Sequence, residues 1–194
     1  MSGKRALVLG GTGMLAGCAE ALVAQGWHVV LPSRRYAPIP AVERTDGDNG
    51  NGGNGNGNGH RKALWVQASW SEPAALADGA ARALGGPADL LVAWVHGTER
   101  VSVLRAVAPL LAPHAPVVEV HGSASANPVG GCPDPVLDDH PTQQVVLGFV
   151  RHAGRTRWLT HQEISAGVLD GVHRALDGKP PAVHQVGEFR PVHR

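Results

Sequence analysis

Arg5-Ala6-Leu7-Val8-Leu9 is an apolar run that breaks into Gly10-Gly11-Thr12-Gly13 and resumes with Met14-Leu15-Ala16-Gly17. An apolar pentamer, a glycine break and then helix formers read as strand, tight turn and helix. Gly11-Thr12-Gly13-Met14-Leu15-Ala16 also fits G-x-G-x-x-A, in which each position has a mechanical use. Gly11 is expected to allow the sharp turn, Gly13 to let backbone approach a pyrophosphate, and Ala16 or Gly17 to let helix and strand pack closely. The pyrophosphate would rest on free amides at the start of a helix expected over Met14 to Gln25, where the dipole favours an anion. Gly11, Thr12, Gly13, Met14 and Leu15 are therefore candidate cofactor-binding residues. The competing reading, a glycine-rich turn without a ligand, is weakened by context, since the motif follows a strand pattern, opens a helix and precedes a second strand.

That second strand is Trp27-His28-Val29-Val30-Leu31, and Ser33-Arg34-Arg35 follows it. About twenty residues past the glycines, an NAD site carries an acidic residue for the ribose hydroxyls, whereas a 2′-phosphate wants hydroxyl and guanidinium donors. Ser33, Arg34 and Arg35 thus point to NADP, against the plainer reading of two solvated surface charges. Gly10-Gly11-Thr12-Gly13 together with Ser33-Arg34-Arg35 resembles the short-chain dehydrogenase/reductase superfamily, in an atypical, shortened form. The similarity of pattern runs from Arg5 to about Ser125.

With 194 residues and 43% hydrophobic content, the chain suffices for one Rossmann-like domain over 1–194 and is short for two. A formal net charge of +1 with scattered Lys and Arg disfavours nucleic acid. Cys18 and Cys132 form neither a disulfide framework nor a zinc pattern, so no metal is expected. No leader pattern precedes Arg5 and no apolar run reaches membrane-spanning length, which suggests a cytoplasmic protein without membrane contact. The expected partners are a small-molecule substrate and further copies of the chain.

Downstream, Tyr36-Ala37-Pro38-Ile39-Pro40 is poor helix material, and the Asn/Gly tract at about 45–60 has little to bury and much backbone entropy to lose. It reads as a disordered loop. Ala63–Ala68, Ala88–Val95 and Pro116–Val120 are strands three to five. Ser71-Glu72-Pro73 and Thr98-Glu99-Arg100 should cap the helices between them. Strands alternating with helices at this spacing predict an α/β, doubly wound parallel sheet of core order 3-2-1-4-5 with helices on both faces. Gly122–Gln144 reads as a long loop over the carboxyl ends of the strands. Val145–Val150 then reads as a strand, His152–Arg155 as a turn back into Thr156–Leu159, and Thr160-His161-Gln162-Glu163 as a capping box opening a helix. An edge strand is expected around His184 to Phe189.

The resemblance implies a Ser after strand five and a Tyr-x-x-x-Lys on the next helix, the Lys lowering the phenol's pKa for proton transfer. This chain departs from that pattern: Tyr36 is its one tyrosine, with Pro40 rather than Lys four residues on. Ser123 or Ser125 matches the serine position. Histidine is the natural substitute acid or base, and His121, at the end of strand five, with Ser123 forms the candidate catalytic pair. His96, at the end of strand four, is placed beside the cofactor. His140, next to Asp138 and Asp139, has neither standard ligand spacing nor a rigid element beneath it. Trp94 and Trp158 read as packing residues. Three function classes follow: an NADP-dependent oxidoreductase with a nonstandard site, a non-redox enzyme performing cyclisation or elimination with His and Ser, and a noncatalytic NADP-binding protein.

Overall fold

A computed structural model describes residues 3–36, 42–43, 63–122 and 131–188. The Asn/Gly tract, Ser123, Ser125 and Phe189 lie outside the described residues. Seven parallel strands form the sheet: β1 (Arg5–Leu9), β2 (His28–Ser33), β4 (Ala63–Gln67), β5 (Leu90–Ala93), β6 (Val117–Gly122), β7 (Thr142–Leu147) and β10 (Val183–Val186). Their spatial order is β10-β7-β6-β5-β1-β2-β4, and the two-residue β3 (Val42–Glu43) is added outside β4. The run β4-β2-β1-β5-β6 is the 3-2-1-4-5 core expected from the strand–helix alternation.

Side chains alternate across each strand, so every central strand feeds two cores. Ala6, Val8, Leu31, Val92, Val118 and Val145 pack against α1 (Ala16–Ala24) and α4 (His161–Leu176) through Leu22, Val168 and Val172. Leu7, Leu9, Val30 and Leu91 pack on the other face against α2 (Pro73–Leu84) and α3 (Glu99–Val107) through Leu76, Leu84 and Leu104. Both faces are covered, which is why these strands are almost uniformly apolar.

Local signals hold in some places and yield in others. At α4, Glu163 N donates to Thr160 Oγ1 (3.2 Å) and Thr160 N to Glu163 Oε2 (2.8 Å), the expected capping box. At α2 the N-cap position falls on Glu72 with no side-chain cap, because Ser71 Oγ lies 2.8 Å from Ser69 Oγ and bonds there instead. Thr98 Oγ1 likewise donates to Glu99 Oε2 (3.4 Å) rather than accepting an amide. The helix expected from Met14 begins at Ala16, since residues 11–15 are spent on the turn.

The expected strand at Val145–Val150 is two elements. β7 starts earlier, at Thr142, and after Gly148 the chain enters an antiparallel hairpin of β8 (Phe149–His152) and β9 (Arg155–Trp158). Its turn carries positive φ at Ala153 (48°) and Gly154 (76°), where the sequence placed it. The connection from β6 to β7 holds no helix over residues 131–141; Leu137 anchors it in the core on the α2/α3 face.

Candidate functional site

A crevice of about 690 Å³ lies at the carboxyl ends of β4, β2, β1 and β5. Its floor is the glycine turn, and the glycines there do different work from the simplest reading of the motif. The positive φ (97°) belongs to Gly10. Gly11 is buried, and a Cβ built on it would lie 2.9 Å from Val8 Cγ1 and closer still to Leu31 Cδ2. Gly11 is therefore needed for the turn to sit on the sheet, while Gly10 makes the turn.

Gly13 lines the crevice, and a Cβ there would find nothing nearer than Gly10 O at 3.9 Å. Its small size leaves room on the ligand side. Gly13 N donates to Gly10 O (3.2 Å) and Ala16 N to Gly13 O (3.1 Å), whereas the amides of Thr12 and Met14 meet no acceptor among the described residues. Both residues line the crevice at the start of α1, where unpaired amides and the helix dipole favour an anion. Leu15 is fully buried in the α1/α4 core, so its side chain faces no ligand. Gly17 serves helix–helix contact: a Cβ there would come within 2.7 Å of Ser165 Oγ on α4.

Ser33, Arg34 and Arg35 line one end of the same crevice, as do Ala68 and Ser69 beyond β4. Arg34 and Arg35 are exposed, and neither makes an ion pair among the described residues. The Ser33 hydroxyl is already committed. It donates to Arg35 O (2.7 Å) and accepts from Trp65 Nε1 (2.9 Å), so its single proton is spent inside the turn.

Trp70, Trp94, His96 and Glu99 complete the crevice wall. β4 and β5 are separated by β2 and β1, roughly 14 Å at ordinary strand spacing. Trp70 nevertheless crosses from the end of β4 to stand edge-on against His96, with centroids 5.5 Å apart. Trp94 meets the same imidazole at 6.2 Å. The Trp70–His96 pair thus spans the crevice. Trp94 is only partly packed against the core, and Trp158, expected to be packed, is 77% exposed on β9.

His121 is outside the crevice lining. Its side chain points to the α2/α3 face of β6 with Glu119, beneath residues 133–134. Glu119, 3% exposed, accepts from Arg100 Nε (2.8 Å) and lies 2.7 Å from Arg100 Nη2, which also donates to Asp134 O (2.9 Å). Burial, and then the Arg100 charge, push His121 down to about 4. The imidazole is neutral at pH 7, so its 3.6 Å approach to Glu119 is not an ion pair. Gln144 Nε2 donates to Pro133 O (2.7 Å), which orients the amide and turns its other proton to His121 Nε2 (3.4 Å). That assigns Nε2 as acceptor and leaves the proton on Nδ1. The near-neutral pKa that motivated a proton-transfer role for His121 does not survive this burial.

The remaining candidates separate from the crevice. His140 Nδ1 lies 2.8 Å from Ala115 O, tying the 131–141 connection to the strand below, and no cluster of metal-ligating groups occurs among the described residues. Cys18 is fully buried and pushed up to about 12 by desolvation; Cys132 is raised by burial and by Glu119, so neither is a thiolate nucleophile. The sequence reading missed Trp65, Trp70, Arg100 and Glu119. Of these only Glu119 carried a signal, a charge inside the apolar run Val117–Val120 that must find a partner when buried.

No family model matches the chain, and no curated protein matches it by sequence. Solved structures do match. An NADH-dependent reductase A1-R′ complexed with NAD is 18% identical, covers 95% of each chain and has a TM-score of 0.62. A short-chain dehydrogenase/reductase from Serratia marcescens is 16% identical with 95% of each chain covered and a TM-score of 0.58. A wide-type short-chain dehydrogenase/reductase from Veillonella parvula, in complex with NADP, is 13% identical over 96% of this chain and 95% of that one, with a TM-score of 0.57. Identities this low speak to architecture alone, and the shared architecture is a Rossmann-like α/β fold, a parallel sheet with helices on both faces.

Proposed function

We propose that the chain binds NADP(H) in the crevice and acts as an oxidoreductase on a small-molecule substrate. The observation that carries the reading is the Arg34–Arg35 turn at the end of β2, without an ion pair among the described residues, opening into the crevice that holds the glycine turn and with no acidic side chain beside it on that strand. A dinucleotide fits the residues present. The open side of Gly13 admits a pyrophosphate, the free amides of Thr12 and Met14 are acceptor-seeking, and about 690 Å³ falls within the range of cofactor pockets. The two guanidiniums suit a phosphate monoester better than a ribose diol.

Bound NADP(H) supplies a hydride; the chain's residues supply position. The glycine turn and the arginine pair fix the two phosphate-bearing regions, and the Trp70–His96 pair walls one side of the crevice. Holding two reactants in reacting geometry is itself a large part of such catalysis. His96 lines the crevice, so we assign any protein-borne proton transfer to its imidazole rather than to His121. A second reading, a noncatalytic NADP(H)-binding protein, is favoured by one specific fact: His121 is neutral and its Nε2 accepts from Gln144.

Calorimetric titration with NADP(H) and NAD(H), followed by nicotinamide absorbance across a panel of carbonyl and alcohol substrates, tests both. Tight NADP(H) binding with turnover supports the oxidoreductase. Binding without turnover of any substrate favours the second reading, and no binding of either cofactor refutes both.

A further inference from the structure

The Arg34–Arg35 turn is braced from an unexpected place. Trp65 stands on β4 opposite Leu31 of β2, and alternation puts its side chain on the same sheet face as Ser33, one pleat further along β2. From there its indole Nε1 donates to Ser33 Oγ (2.9 Å), and Ser33 Oγ donates onward to Arg35 O (2.7 Å). The Tyr36 ring stands edge-on to Trp65 with centroids 5.5 Å apart, closing the turn on its far side. A hydroxyl that both accepts and donates is fixed in rotation, and the peptide it holds follows Arg35 directly. A short turn whose last carbonyl is tied to a strand residue has few conformations left to lose when a ligand binds.

We propose that Trp65 is a specificity-determining positioning residue: through the Ser33 hydroxyl and the Arg35 carbonyl it holds the arginine turn in the form that presents both guanidiniums to a phosphate monoester. The inference rests on the NADP(H) reading above and adds what sets its selectivity. Ser33 thereby becomes a link in the brace, not a phosphate donor. Trp65 touches no ligand, and its effect falls on discrimination between phosphorylated and unphosphorylated ligands.

The test uses the full chain and two pairs of probes, NADP(H) against NAD(H) and adenosine 2′,5′-bisphosphate against 5′-AMP, titrated calorimetrically. Trp65→Phe keeps a ring against Tyr36 and removes the N–H donor. The affinity ratio within each pair should fall about fivefold, the effect expected when one neutral hydrogen bond is lost, with the loss on the 2′-phosphorylated member. Ser33→Ala should lower the ratio similarly, Ser33→Thr should restore it, and Trp65→Phe/Ser33→Ala should fall no further than either single change, since all interrupt one chain of bonds. A parent that prefers the 2′-phosphorylated probes and a Trp65→Phe variant with the same ratio overturns the brace alone. A parent with equal affinities within each pair overturns the NADP(H) reading and the brace with it. Should Trp65→Phe fold poorly, the Ser33→Ala and Ser33→Thr pair decides the matter by the same ratio.

Discussion

Gly11 and Gly13 belong to one motif, yet alanine at each should fail in opposite ways. At Gly11 the new Cβ would lie 2.9 Å from Val8 Cγ1 and nearer to Leu31 Cδ2, and both neighbours are fully buried in the α1-side core. Neither can retreat without displacing other core atoms, so an overpacking cost of about 2 kcal/mol is expected, within the usual 1–3. For a chain of this size that lowers Tm by roughly 4–8 °C. At Gly13 the Cβ meets nothing within 3.9 Å, and φ there is not in the left-handed region. Gly13→Ala should leave stability within about 1 kcal/mol of the parent, with a small gain possible from a stiffer unfolded chain. Its methyl group instead takes up the open space that Gly13 leaves in the crevice, where the reading above places the pyrophosphate, and losing one charge-assisted hydrogen bond there should weaken NADP(H) about tenfold or more. Thermal unfolding followed by circular dichroism, with calorimetric cofactor titration on the same samples, reads both quantities. The reasoning is refuted if Gly11→Ala melts with the parent, or if Gly13→Ala loses stability while keeping its affinity.

Arg34→Ala should reduce the NADP(H) preference about tenfold at low salt and less at high salt, because an exposed guanidinium is screened; calorimetry at two ionic strengths checks this, and a salt-independent or absent change contradicts it. His121 falls from the ordinary 6.5 to about 4 in the folded chain. Between those values the unfolded chain binds the extra proton, so stability is fully present above pH 6.5 and is lost as pH falls towards 4. His121→Leu should flatten the Tm profile across that window, while His184, also lowered, stays in both proteins; an unchanged slope would show that His121 does not contribute. Arg100→Ala leaves Glu119, 3% exposed, buried without its cation, and should cost about 3 kcal/mol in urea unfolding, whereas Arg100→Met/Glu119→Leu should lie within about 1 kcal/mol of the parent. Equal losses in the single and double variants would show that the pair is not what holds the region.

The parts of this fold legible in the sequence are those whose signal is local. Val29 to Leu31 or Leu90 to Ala93 can only be strands covered on both faces, and Thr160 with Glu163 announces α4 because cap and partner lie three residues apart. Reading failed where polar groups are satisfied from far along the chain. Thr142, Gln143 and Gln144 look like loop, yet all are buried in β7, where Gln143 Nε2 bonds Lys179 O and Pro180 O and Gln144 Nε2 bonds Pro133 O. Nothing near them in sequence reveals those acceptors. The crevice divides the same way. The glycine turn and arginine pair were visible as a motif and a spacing, but the commitment of the Ser33 hydroxyl depends on Trp65, and the need for glycine at position 11 depends on Leu31.

The surroundings of the histidine beside strand five were hidden for a related reason. Adjacent parallel strands are normally linked by a crossover helix, which satisfies its own backbone and shields the sheet face beneath it. Over residues 131–141 the link from β6 to β7 has no helix, so its carbonyls must find donors elsewhere. Arg100 serves Asp134 O and Gln144 serves Pro133 O, while His140 reaches Ala115 O in the other direction. Arg100 can lie half under this link only if a carboxylate neutralises it, which is the work of Glu119, and His121 then sits beside a guanidinium that keeps it unprotonated. Among the described residues, His121 thus belongs to the network that supports residues 133–134 of this link. On the other side of β5 the glycine turn, the arginine pair and His96 share one crevice.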